Sequence, residues 1–255
     1  MYMIGPRKKT SDERMQIAHS IAQQVLAKYG GNVRAIGIYG SLARKTDGPF
    51  SDIELKCICH QLEHSYSYEW TAGDWKAEVN FDQAEVIIEE AITVEEDWPL
   101  TNGKFFDLQP LYDPSGFFLE LKDKAATVEN ARFKEAICKT IVEEMYEYMG
   151  KLRNIAVQGP TTFLPILAIK IAMTGAMIVG LHHKQCYTTS AQVLPEALAM
   201  DDQPHGLKAL AEMVMAGNLT NPQQIIAACE NFWQTLLQWT AEKGYQIKCS
   251  KGIPW

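Results

Sequence analysis

The sequence is poor in positive charge. It contains 24 lysines and arginines against 31 aspartates and glutamates, and its formal net charge at pH 7 is −7. A protein that binds nucleic acid normally presents a basic surface to the phosphates, so this balance argues against a nucleic-acid partner. A small acceptor that carries several positive charges suits an acidic protein better.

The sequence also lacks a disulfide framework, a signal peptide and an internal repeat. No basic segment followed by an apolar one opens the chain, so we expect no signal peptide and a cytoplasmic protein. The cysteines lie mostly in apolar patterns with no regular spacing, which is typical of thiols in a reducing compartment. The six cysteines are Cys57, Cys59, Cys138, Cys186, Cys229 and Cys249.

One long apolar run is present, at residues 163–181. It is nearly long enough to span a membrane, but Pro165 and Lys170 interrupt it and the sequence contains no second candidate. We therefore expect a buried helix and no association with a membrane.

A glycine-serine turn follows a short apolar strand. The strand and turn read AIGIYGS, and the turn is formed by Gly40 and Ser41. Glycine allows backbone N–H groups to approach an anion closely, so such a turn can hold a phosphate. Turns of this composition are common, and the turn alone does not establish a binding site.

An acidic strand begins eleven residues after Ser41. In SDIELKCIC, apolar residues alternate with Asp52, Glu54 and Lys56, so both carboxylates lie on one face of a strand. Mg²⁺ prefers such hard oxygen ligands and completes its shell with water and substrate phosphates. Together with the preceding turn, the pattern indicates metal-assisted transfer from a nucleotide. The alternative, a solvated polar face, stays open.

A third acid follows in a second alternating segment, WKAEVNF, where Lys76, Glu78 and Asn80 share one face. If this strand lies beside the first, Glu78 can face the same metal ions, as a two-metal site requires. Lys76 could neutralise phosphate charge or pair with the acids, and the sequence leaves both roles open.

The sequence predicts an α+β fold in the amino-terminal half and a helical bundle in the carboxy-terminal half. Thr10-x-x-Glu13 and Asp82-x-x-Glu85 predict capping boxes that open two helices. Strands are expected at 33–39, from Asp52, on both sides of a hairpin near residue 73, and at 105–113. The second half predicts helices at about 116–128, 131–151, 162–183, 190–200, 205–216 and 221–243. We divide the chain into domains at residues 1–127 and 128–255.

A charged stripe runs along one of these helices. Lys139, Glu143, Glu147 and Lys151 recur every four residues and therefore share a helical face. An exposed row of i,i+4 ion pairs explains this spacing without any function.

Four blocks of the sequence resemble one family closely. They are IGIYGSLARKTDGPFSDIE, EWTAGDWKAEVNF, IVEEMYEYMGKLRNIAVQGPTTFLP and GLHHKQCYTTS. They are similar to the kanamycin nucleotidyltransferases, the aminoglycoside 4′-adenylyltransferases, within the superfamily that includes DNA polymerase β. The resemblance implies a nucleotidyltransferase-type mixed β-sheet followed by a helical domain. It also implies transfer of AMP from Mg·ATP to the 4′-hydroxyl of a kanamycin-type antibiotic, release of pyrophosphate, and a homodimer with shared active sites.

The resemblance assigns a role to each matching residue. Mg²⁺ would be held by Asp52, Glu54 and Glu78. The nucleotide would be bound by Gly40, Ser41, Arg44 and Lys76. Glu147 would be the catalytic base, and Lys151 would contact the reacting substrates. The acceptor would be bound by Glu69, Asp97, Glu143, Glu147 and Lys151.

Two alternatives remain at this level. One is a nucleotidyltransferase of the same fold that acts on another small molecule or on a protein. The other is a catalytically silent nucleotide-binding module, such as an antitoxin-like partner protein. The acid trio and the candidate base argue against the silent module, because a protein that only binds a nucleotide needs fewer ligands.

Overall fold

The structure is a computed structural model that describes residues 5–247 and 252–253. The chain divides into two compact units: the first runs to Thr93 and includes residues 102–128, and the second holds residues 94–101 and the chain from Glu129. Of the six cysteines, Cys249 lies outside the described residues. None of the other five is in a disulfide bond.

The first unit is built on a five-stranded mixed sheet with the order β3-β4-β2-β1-β5. The central pair, β2 and β4, is parallel, and the other neighbours are antiparallel. The α+β prediction for this half is therefore confirmed. The strands are β1 Val33–Tyr39, β2 Ile53–Cys59, β3 Tyr66–Thr71, β4 Lys76–Gln83 and β5 Gln109–Tyr112.

One face of the sheet is covered by the first helix, α1 (Ser11–Tyr29). The predicted capping box is confirmed: the Thr10 hydroxyl accepts from the Glu13 N–H at 3.2 Å, and the Glu13 carboxylate accepts from the Thr10 N–H at 2.7 Å. The alternating apolar residues of β2 and β4 pack against α1 in a buried core that includes Ile53, Leu55 and Val79. Their polar neighbours must therefore point to the opposite face.

The opposite face is only partly covered. A second core contains Ala35, Ile58, Phe105 and Phe118, and it is formed where three helices pack on this face. These helices are α3 Ala84–Ile92, α5 Gly103–Asp107 and α6 Phe117–Ala126. The part of the face that carries Glu54 and Glu78 remains partly exposed.

Two local predictions for the first unit are wrong. Asp82 does not cap a helix: it lies in β4 and is paired with Lys56, and α3 begins after Gln83. Residues 105–113 are not one strand, because α5 continues to Asp107 and β5 occupies only Gln109–Tyr112. In both places a tertiary contact overrides the local pattern.

The second unit is helical, as predicted. Its central helix, α9, is the one helix among the described residues that is long and apolar enough to cross a membrane, and 61% of its apolar window is buried. It packs against the other helices of the unit and forms their core. The helices are α4 Trp98–Thr101, α7 Asn130–Thr140, α8 Tyr146–Gln158, α9 Leu164–His183, α10 Val193–Leu198, α11 His205–Met215 and α12 Pro222–Glu242.

Candidate active site

The glycine-serine turn connects β1 to a single helical turn, α2 (Gly40–Arg44). Gly40 has a φ of +73°, a conformation that residues with a side chain rarely adopt. A Cβ at this position would also collide with the Glu54 carboxylate. The backbone conformation thus favours glycine, and a larger residue would push the Glu54 carboxylate out of place.

Three carboxylates converge beside this turn. Glu54 lies opposite Tyr39 of β1 and opposite Glu78 of β4, and Asp52 immediately precedes β2. Burial, followed by the negative charges of Asp52 and Glu78, raises the pKa of Glu54 to about 7. A bound cation would relieve this crowding of like charges.

Lys76 lies among these acids. Its ammonium group is 2.5 Å from Glu69 and 3.7 Å from Asp52, and its pKa is raised mainly by the hydrogen bond to Glu69. The structure therefore shows Lys76 paired with acids, which was one of its two possible roles. Contact with a phosphate stays a prediction.

Arg44 is held by a residue that no pattern in the sequence indicates. Its Nη1 donates to Asp107 of α5 at 2.8 Å. Its Nε is buried and has no hydrogen-bond partner among the described residues. Ser41 is half-buried, and its carbonyl oxygen accepts from the Thr46 N–H at 3.0 Å. Both residues lie in α2, and their contact with a phosphate stays a prediction.

Further polar residues extend the acidic face into the sheet. Asn80 donates to the Tyr39 hydroxyl at 2.9 Å, and Lys56 donates to Asp82 at 2.9 Å. The sequence analysis did not assign these residues to the site. The period of two that identified Glu78 also places Asn80 and Asp82 on its face, so the signal was present.

The remaining candidates lie in the second unit. Glu147 and Lys151 form an ion pair on α8, and Glu143 is 3.9 Å from Lys139. The hydrogen bond from Lys151 lowers the pKa of Glu147. The exposed ion-pair row is thus confirmed, and catalytic roles for these residues stay predictions. Asp97 is exposed just before α4.

A π-helical turn, Ile141–Met145, connects α7 to α8 where the sequence predicted one continuous helix. The buried residues of α7 include Phe133, Ile137 and Thr140. With 3.6 residues per turn, the same face would next receive positions 144, 147 and 151, all of which are charged. The extra residue of the π turn brings Met145, Met149 and Leu152 into the core instead. It thereby places Glu147 and Lys151 at the surface.

The carboxylates of the first unit suit a magnesium ion. Within the described ranges, no group of three or more His, Cys, Asp or Glu side chains could hold a metal ion by itself, so water and a substrate would have to complete the coordination. Mg²⁺ usually takes one or two carboxylates, and water and substrate phosphates supply the rest. Glu54 and Glu78, which are neighbours across the parallel strands, meet that requirement.

Comparison with known proteins identifies relatives of this chain. Residues 115–246 match the family described as the KNTase C-terminal domain. Two curated proteins named aminoglycoside nucleotidyltransferase (4′), from a Bacillus species and from Staphylococcus aureus, are each 51% identical to this chain over 252 residues, which is 99% of this chain and 100% of theirs. A nucleotidyltransferase-like protein from Exiguobacterium sibiricum shares the fold, with a TM-score of 0.55 and 12% identity over 89% of this chain and 77% of its own.

Proposed function

The chain belongs to the aminoglycoside 4′-nucleotidyltransferase family, and from that membership we propose that it inactivates aminoglycoside antibiotics by adenylylation. It transfers AMP from Mg·ATP to the 4′-hydroxyl of kanamycin-type aminoglycosides and releases pyrophosphate. The observation that carries the proposal is the crowding of Asp52, Glu54 and Glu78 beside the Gly40 turn.

The first unit binds the nucleotide in this proposal. Asp52, Glu54 and Glu78 hold Mg²⁺, which when bound supplies positive charge to the phosphate oxygens. The backbone at Gly40 and Ser41 and the side chains of Arg44 and Lys76 contact the triphosphate. The unpartnered Nε of Arg44 is a donor available to a phosphate oxygen, and the raised pKa of Lys76 keeps its ammonium group charged near neutral pH, which supports these roles.

The second unit provides the groups that act on the acceptor. Glu147 takes the proton of the attacking hydroxyl, and Lys151 stabilises the charge that develops on the phosphate oxygens. The Glu147 carboxylate is ionised at neutral pH, as a base must be, but the hydrogen bond from Lys151 lowers its pKa and weakens it as a base until Lys151 turns to the phosphate.

The acceptor is a polycation, and acids are available to bind it. Glu69, Asp97 and Glu143 are exposed and would pair with the ammonium groups of the antibiotic. The net charge of −7 favours such a ligand. We further propose a cytoplasmic homodimer in which each active site takes Glu147 and Lys151 from one subunit and the metal-binding acids from the other.

The test is transfer of label from ATP labelled on the α-phosphate to a panel of aminoglycosides. We expect labelled kanamycin, and no labelled product from an otherwise identical aminoglycoside without the 4′-hydroxyl. Equal labelling of both compounds would refute the proposed position of transfer. Nucleotide binding without transfer to any aminoglycoside would favour the silent binding module, and labelling of another small molecule or a protein would favour the other transferase.

A further inference from the structure

A buried ion pair lies on the same sheet face as the metal-binding acids. Lys56 donates to Asp82 at 2.9 Å, and the two side chains are 7% and 10% exposed. In the parallel register of β2 and β4, Glu54 lies opposite Glu78, and two residues further along Lys56 lies opposite Asn80. The pair thus follows the acids directly along the strands.

The pair and one of the acids, Glu78, line one cavity of about 450 Å³. Its lining includes Glu78, Asn80, Tyr39, Lys56 and Asp82. Asn80, which lies between Glu78 and Asp82 on β4, donates to the Tyr39 hydroxyl. A second ion pair on the cavity wall, Glu90 with Lys104, is electrically neutral.

Stability alone does not account for this pair. Replacing a buried ion pair by well-packed apolar side chains is often neutral or stabilising, because both charges lose their hydration when buried. The position of this buried pair beside the acids therefore indicates an electrostatic effect on the acid site.

The charges act in opposite directions on a cation held by Glu54 and Glu78. Residues two apart on a strand are roughly 7 Å apart, and unit charges at such distances in a partly buried site change an equilibrium by about tenfold. An unneutralised Lys56 would repel the cation, and an unneutralised Asp82 would attract it.

We propose that the Lys56–Asp82 pair sets the cation affinity of the acid site, with Asp82 neutralising a lysine that would otherwise oppose metal binding. This inference rests on the proposed metal site. Lys56 and Asp82 are then charge-balancing residues that act through the acids and touch neither substrate.

The experiment is a titration of the full chain with Mn²⁺ alone, followed by the electron paramagnetic resonance signal of the free ion. Lys56→Met should bind Mn²⁺ more tightly by about threefold to tenfold, and Asp82→Asn should bind it more weakly by a similar factor. The double variant and Lys56→Arg should return close to wild type. Lys124→Met, which removes the same charge from an exposed pair on α6, should have no effect.

The opposite signs separate this role from a structural one. If the pair only stabilises the fold, both single variants lower the melting temperature and both weaken Mn²⁺ binding or leave it unchanged, and the inference is refuted. Failure of the wild type to bind Mn²⁺, or equal binding by Glu78→Gln, would instead refute the metal site of the proposed function.

Discussion

At the scale of single residues, Gly40 links the phosphate turn to the metal-binding acids. Its positive φ strains any side chain placed there, and a Cβ would displace the Glu54 carboxylate. We predict that Gly40→Ala lowers kcat by on the order of 10²-fold, because even a small displacement of a reacting group has that effect. Steady-state kinetics measures the loss. Gly48→Ala is the control, since a Cβ there would meet only the Ser51 hydroxyl at 3.9 Å.

Asp52 tests the metal assignment itself. Asp52→Asn keeps the shape of the side chain and removes its charge, so we predict that kcat/KM falls by on the order of 10³-fold with an unchanged melting temperature. Asp74→Asn removes a nearby acid that pairs with Lys9 and should keep normal activity. Near-wild-type turnover by the Asp52 variant would rule out its role as a metal ligand.

Arg14 is the residue whose loss should affect stability most clearly. Its guanidinium is buried against the Asp47 carboxylate, with side chains 2% and 1% exposed, and it also donates to the carbonyl of Lys9 at 2.9 Å. Breaking a buried pair costs about 3–5 kcal/mol, so Arg14→Met should lower the melting temperature by roughly 10 °C. Thermal unfolding measures this, and Arg14→Met with Asp47→Asn should recover part of the loss.

The same pair predicts a pH dependence. Although burial raises the pKa of Asp47, hydrogen bonds from Arg14 and Ser11 lower it overall. Its stabilising contribution is therefore present above the ordinary aspartate pKa of about 3.9 and is lost as the pH falls through the lower folded value. The difference in stability between wild type and Arg14→Met should accordingly be smaller at acid pH. An equal difference across the whole range would show that lost packing, not charge, accounts for the effect.

At the scale of secondary-structure elements, regular patterns in the sequence predicted the features that depend on neighbouring residues, such as the faces of a strand and the start of a helix. The period of two placed Glu54 and Glu78 on one face, and the capping box at Thr10 opened α1 as expected. The placement of the acids on one face of the sheet follows from the period of two in β2 and in β4. The pairing of β2 with β4 and the contact between Arg44 and Asp107 depend on residues far apart in the chain, so no local pattern indicates them.

The wrong capping box at Asp82 and the unpredicted π turn before Glu147 each have a physical reason. The sequence around Asp82 satisfies the capping-box pattern, but pairing with the buried Lys56 holds this aspartate in a strand. The π turn before Glu147 was missed because the charged residues recur every four positions across it without a break. The apolar residues Phe133, Ile137, Ile141, Met145 and Met149 keep the same four-residue spacing, and on a helix of 3.6 residues per turn that spacing drifts by about 40° per step, so the drift itself was the signal.

The helix formed by α7, the π turn and α8 carries the prediction about the base. Glu147→Gln should lower kcat by about 10²–10⁴-fold and change the KM for ATP little, because a general base acts in the transition state. Glu143→Gln should mainly raise the KM for the aminoglycoside. If Glu147→Gln also changes only that KM, Glu147 binds the acceptor and another group takes the proton.

At the scale of the whole molecule, the resemblance covers nearly the entire chain, and both compact units are therefore expected to contribute to catalysis. The first unit contains the acids and the phosphate turn, and the second contains the candidate base. Neither unit holds all the proposed groups, so the proposed active site takes residues from both. Whether the two units come from one chain or from two subunits is the question that complementation can answer.

We predict that the active site is shared between two subunits, and that mixing two inactive variants restores activity. Asp52→Ala and Glu147→Ala each remove one essential group, and the homodimer of either variant should be inactive. If the residues act in trans, a mixed dimer has one site with both lesions and one wild-type site. Random exchange of equal amounts makes half of the dimers mixed, so activity should recover to about a quarter of the wild-type value. If each site is built within one chain, every site keeps one lesion and mixing restores nothing.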